Sequence, residues 1–116
     1  MNQTTHTAAI AALNDRFRRE GPDSGIPGRW MLTQGIATLH PLKLVEIDRQ
    51  VRAHPAFDEG DDPHGEHDFG AFDVAGVGKV FWKIDYYAPD MEHGSEDPAD
   101  PARTVRVLTV MLASEY

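Results

Sequence analysis

"HDFGAFDVAGVGKVFWKIDYY", residues 67–87, decides the fold. Its apolar residues recur every second position on both sides of "AGVG" (75–78), and a glycine-bearing turn between two such runs predicts a β-hairpin. Side chains alternate across a strand, so Val80, Trp82, Ile84 and Tyr86 share one face. Phe81, Lys83, Asp85 and Tyr87 share the other. The first set is apolar enough to be a core face; the second is mixed.

Outward from the hairpin the period changes. Residues 5–19 carry Ala9, Ile10, Ala12, Leu13 and Phe17 at helical spacing, with Arg16, Arg18 and Arg19 in the last turn, where cations suit the helix dipole. "EGPDSGIPG" (20–28) ends that helix, and "RWMLT" (29–33) reads as a short strand. Pro41 opens a second helix running to about Ala53, with Leu44, Ile47 and Val51 on one face. "HPAFDEGDDPHGE" (54–66) and "APDMEHGSEDPADPA" (88–102) are loops by their Pro, Gly and Asp content. Residues 103–114 satisfy both periods. Val105, Leu108 and Leu112 suit a helix, but the β-branched Thr104, Val105, Val107, Thr109 and Val110 favour a strand with a frayed end. The order α-β-α-β-β-β predicts a single α+β domain spanning 1–116, a mostly antiparallel sheet with two helices packed on one face.

Composition excludes several chemistries. The 116 residues contain no cysteine, so disulfides, thiolate nucleophiles and iron–sulfur ligation are ruled out. Neither a signal peptide nor an apolar run of membrane-spanning length is present, and a cytoplasmic location away from membranes is expected. The net charge of −8 is unevenly placed: the block 57–100 holds thirteen of the nineteen acids but only Lys79 and Lys83 as bases, leaving it at −11 and the remainder at +3. Such a block repels nucleic acid and attracts a basic protein surface or a cation.

Three stretches, "DPHGEHDFG" (62–70), "FWKIDYY" (81–87) and "GSEDPADPA" with "RVLTVMLASEY" (94–102 and 106–116), resemble a family of short bacterial proteins catalogued as a domain of unknown function and often encoded on plasmids and other mobile elements. "IAALNDRFRR" (10–19) and "MLTQGI" (31–36) extend the resemblance over nearly the whole chain. It implies a single-domain cytoplasmic protein among the accessory genes of mobile DNA, a cargo that includes inhibitors of host defence. It brings no catalytic residues with it.

Two functional expectations follow. The first is an interaction module presenting Asp58, Glu59, Asp61, Asp62, Asp90, Glu92, Glu96 and Asp97 to a basic protein surface, anchored by Tyr87 and supported by Phe81. The second is a metal-dependent, hydrolase-like enzyme. Its ligands would be His64, Glu66 and His67, drawn together where Gly65 bends the loop, with Asp85 as a fourth; a divalent metal is the one candidate cofactor. "HGSED" (93–97) sets His93, Ser95 and Asp97 side by side, but triad members converge from distant positions, so turn hydrogen bonds are the better reading. "GVGK" (76–79) lies between strands and lacks the Ser/Thr of a phosphate loop.

Overall fold

The hairpin forms as its alternation predicts. In the computed structural model, which describes residues 3–54, 62 and 64–116, strand β2 (Phe69–Val74) pairs antiparallel with β3 (Gly78–Tyr87) through a turn at 75–77. Strand β4 (Val105–Leu112) pairs antiparallel with the other side of β3, Tyr87 opposite Val105 and Val80 opposite Leu112. The ambiguous C-terminal segment is therefore a strand, and its frayed end is a 3₁₀ turn at Ala113–Glu115. Placed between two neighbours on a half-buried sheet, β-branched side chains outweigh the helical spacing of the leucines.

The sheet order is β1-β4-β3-β2, with β1 (Gly28–Leu32) running parallel to β4 along one edge. That parallel pair is the departure from an antiparallel sheet. It requires the chain to leave β1, cross the helical layer and return, which α2 (Gln34–Ala37) and α3 (Pro41–Arg52) accomplish on the way to β2. The one-turn helix α2 fills the connection between β1 and α3.

Helices α1 (Gln3–Glu20) and α3 cover one face of the sheet. Phe17, Ile36, Ile47, Val51, Val74, Val80, Trp82, Ile84, Leu108 and Val110 form the core between the layers. Trp82 is its largest fully buried side chain. Gly70, opposite it on β2, has to be small, because a Cβ there would collide with the indole. Arg18, one of the three last-turn cations of α1, is fully buried. Its Nη1 donates to the carbonyls of Val51 and Arg52, both at 2.9 Å, capping the C-terminus of α3, and its guanidinium lies 5.4 Å from the Trp82 ring centroid. Burial lowers its pKa, with Asp15 acting in the opposite direction. On the helix-free face Phe81 packs against Phe69 and Tyr116, at centroid distances of 5.3 and 5.6 Å, so it is enclosed by aromatics of its own chain.

Among the described residues no helix is long and apolar enough to cross a membrane.

Candidate functional site

Antiparallel pairing sends the loop before β2 and the loop after β3 out of the same end of the sheet. These are the two histidine-bearing acidic loops. Asp58, Glu59 and Asp61 lie outside the described residues, so the comparison concerns 62, 64–68 and 88–100.

The first loop turns sharply. Gly65 and His67 both adopt positive φ, 73° and 57°. The turn folds back on Asp62, whose carbonyl accepts from the Gly65 N–H at 3.1 Å and whose Oδ1 accepts from the His67 N–H at 3.0 Å. Asp62, expected among exposed acids, is only 8% exposed. Its carboxylate organises the loop from inside. The His67 ring reaches helix α1, with Nδ1 3.1 Å from both Asp15 oxygens and Nε2 3.7 Å from Asp62 Oδ2.

Glu66 faces elsewhere. Its Oε1 accepts from the Tyr86 hydroxyl at 2.8 Å, and its carbonyl accepts from Asn14 Nδ2 at 2.9 Å. Asn14 Nδ2 also donates to the Tyr86 oxygen at 2.8 Å, while Asn14 Oδ1 accepts from Arg106 Nε at 2.7 Å. Arg106 Nη2 donates to the Pro98 carbonyl, and its guanidinium sits 5.3 Å from the Tyr86 ring centroid. Asn14 and Arg106 are fully buried. This network ties α1, the 62–68 loop, β3, β4 and the 88–104 connection together. Burial pushes the Tyr86 hydroxyl far above its ordinary pKa, so it remains a proton donor to Glu66. Burial lowers the Arg106 pKa, and it raises that of Asp68 with help from the neighbouring Glu66 charge.

The expected metal ligands are therefore apportioned to different tasks. Glu66 serves Tyr86, and His67 serves Asp15 and Asp62. His64 is exposed at the loop tip. Asp85 lies on the helix-free face, paired with Lys83 at 2.9 Å, whereas Tyr86 and its partner Glu66 lie on the helical side. The structure does not bring the four together.

The second loop does bring ligands together. Among the described residues, Asp90, Glu92 and His93 form a group whose donor atoms all lie within 4.8 Å of one another, a set that can coordinate a divalent metal. Asp90 builds the turn: Oδ1 accepts from the Glu92 and His93 N–H groups at 2.8 and 3.2 Å, and Oδ2 lies 2.9 Å from His93 Nδ1. Met91, at φ 63°, lets the chain reverse between them. The Glu92 N–H, followed by the His93 ring, holds the Asp90 carboxyl below the usual range. All three ligands are exposed. A cleft of about 370 Å³ is lined by Asp90 and His93 together with Glu96 and Arg103, which pair at 3.2 Å. Ser95 turns away from His93: it bonds the Arg103 carbonyl and Thr104 Oγ1 and accepts from the Asp97 N–H, so it is a turn residue. Tyr87 is half-buried on the helix-free face beside Met31 and Met91. The legible signal for this cluster was "DMEH" (90–93), an Asp opening a tight turn with an acid and a histidine two and three residues later.

No curated protein and no solved structure matches the chain. Residues 32–115 match the sequence model of DUF3768, described as a protein of unknown function. The matched segment includes both histidine-bearing loops and all strands from the last residue of β1 onward, and helix α1 precedes it. With most of its length matched, the chain belongs to the DUF3768 family.

Proposed function

We propose that this domain is a metal-dependent, hydrolase-like protein whose divalent cation is held by Asp90, Glu92 and His93. The observation that carries the reading is the convergence of two carboxylates and an imidazole in one turn, two of them lining a cleft that Arg103 also lines. Three protein donors leave coordination positions open for water and ligand, as hydrolytic metal chemistry requires. Arg103 lines this cleft in a pair with Glu96, and to take an anionic ester it would exchange that carboxylate for the substrate's anionic group. Oxygen-rich ligation with one imidazole suits manganese, zinc or magnesium.

Calorimetric titration with each of these ions tests the reading. Stoichiometric binding that disappears in Asp90→Asn and His93→Ala, and persists in His64→Ala and His67→Ala, is expected. Hydrolysis of a model phosphodiester should then require the ion and fall in Arg103→Ala. Absence of binding by all three ions would end the reading.

A second reading is favoured by the shared end of the sheet from which both acidic loops emerge. The domain is then an interaction module, in the mobile-element setting an inhibitor of a host defence complex, that offers Asp90, Glu92, Glu96 and Asp97, with Tyr87 beside them, to a basic protein surface. Its association rate would fall steeply with added salt, because exposed charges are screened over about 8 Å at physiological ionic strength.

A further inference from the structure

His67 is gripped from two elements at once. Its Nδ1 lies 3.1 Å from each oxygen of Asp15 on α1, its Nε2 lies 3.7 Å from Asp62 Oδ2, and its own N–H donates to Asp62 Oδ1 at 3.0 Å. An ionised carboxylate only accepts, and a neutral imidazole has one N–H and one lone pair. With a carboxylate at each ring nitrogen, the neutral ring satisfies one of them and turns a lone pair on the other. The imidazolium donates to both.

Burial gives this pairing weight. The side chains of His67, Asp15 and Asp62 are 32%, 21% and 5% exposed, so solvent screens their charges less than those of a surface pair. From α1, Asp15 is shared with Arg18, whose Nη2 lies 3.3 Å from it and whose Nη1 caps α3. From the loop, Asp62 faces the ring, while Glu66 turns to Tyr86, His64 stands at the exposed tip, and Asp68 feels the charges of Glu66, Asp62 and His64. Among the described residues, two carboxylates and one guanidinium therefore meet at the ring, and a protonated His67 balances them. The backbone makes the same demand: His67 holds φ at 57°, in a region that disfavours side chains, and from there its ring reaches Asp15 while its N–H reaches Asp62.

We infer that His67 is a proton-operated clasp: its imidazolium docks the 64–67 turn on α1, and loss of the proton sets a lone pair against Asp62 and loosens the turn. Histidine changes charge between about pH 5 and 8, so the clasp works in the physiological range. Docking is tightest on the acid side and weakens as pH rises, because the cation is the form that both carboxylates favour. Glu66 stays fastened to Asn14 and Tyr86, so what opens is the Gly65–His67 side of the turn. There a cleft of about 410 Å³ is lined by Ala8, Ala11 and Asp15 of the helix and by Gly65 and His67 of the turn.

Amide exchange of the full chain, corrected for the intrinsic pH dependence of exchange, is the test. The Gly65 and His67 amides bond the Asp62 carbonyl and carboxylate. Their protection should be about fivefold higher at about pH 5.5 than at about pH 8, the worth of one partly screened charge-assisted hydrogen bond. His67→Asn removes the titrating ring and keeps a residue that tolerates the left-handed backbone; its protection should be low and equal at both pH values. His64→Ala should keep the wild-type dependence. Ring nitrogen shifts of the wild type give a readout independent of any variant: the His67 ring should lose its proton over the interval in which protection falls. Wild-type protection indifferent to pH overturns the inference. So does a fall that persists in His67→Asn, or a ring that changes charge with no change in protection.

Discussion

Two loops leave the same end of the sheet carrying nearly the same chemistry, and they do opposite things with it. In 62–68, Asp62, Glu66 and His67 are drawn inward by Asp15, Asn14 and Tyr86 and act as fasteners. In 90–93, the exposed Asp90, Glu92 and His93 bond within their own turn among the described residues and keep their donor atoms turned toward one another. The difference is what stands opposite. Helix α1 lies over the first loop and supplies polar partners, whereas the second loop is held away from its acidic turn, at Gly94 opposite Tyr87 and at Pro98 by Arg106. Acid and histidine content therefore says little about a site until the covering element is known.

That contrast can be broken most forcefully at Asn14. Asn14→Ala removes an acceptor from buried Arg106 and a donor shared by Tyr86 and the Glu66 carbonyl. Leaving the buried Arg106 Nε without its acceptor, while Nη2 keeps the Pro98 carbonyl, should cost about 3 kcal/mol, read from the denaturation midpoint at unchanged m-value. Tyr86→Phe, which deletes only the hydroxyl between Asn14 and Glu66, should cost about 1–2 kcal/mol in the same assay. A loss as large as that of Asn14→Ala would mean that Glu66 depends wholly on the phenol.

Asp68 sharpens the contrast through pH. Burial, followed by the nearby Glu66 charge, raises its folded-state pKa, so the folded protein holds this proton more tightly than the unfolded chain does. Its carboxylate therefore subtracts stability once pH rises past the unfolded value of about 3.9, and the full cost is present above the raised folded pKa. Asp68→Asn should stabilise the protein at neutral pH, with the gain vanishing in acid. A melting-temperature difference independent of pH would contradict the assignment.

The smallest effects belong to the second loop. Glu92→Gln and His93→Ala should each change stability by less than about 0.5 kcal/mol in the absence of metal, because exposed side chains contribute little. The same substitutions should abolish any cation-dependent rise in melting temperature, which a metal bound only by the folded state produces by mass action. A large metal-free loss at His93 would show that the loop is a second fastener.

The fold was legible where one periodicity ruled. The alternation in 79–87 assigned both faces of β3, and Leu44, Ile47 and Val51 marked the buried side of α3. The site was less legible, since polar residue types in a loop do not announce their partners. Asp62 looked like one more solvating acid, and Arg18 like a dipole-compensating cation, yet both are buried because each caps backbone groups that would otherwise go unpaired. The reading of 62–70 as a ligand loop ran into a strand-parity constraint: Asp85 and Tyr86, adjacent in sequence, face opposite sides of the sheet.

By itself, the sequence determined the elements, because backbone periodicity and side-chain shape act locally: two main helices, a hairpin, and an α+β domain built around Trp82. Only the tertiary structure decided that β1 lies parallel to β4 at one edge of the sheet, since a five-residue strand carries no local preference for its neighbour. It also decided which histidine-bearing loop became a staple and which stayed open. That outcome rests on Asn14 and Asp15, residues some fifty positions away in sequence that reach one loop through the packing of α1 on the sheet.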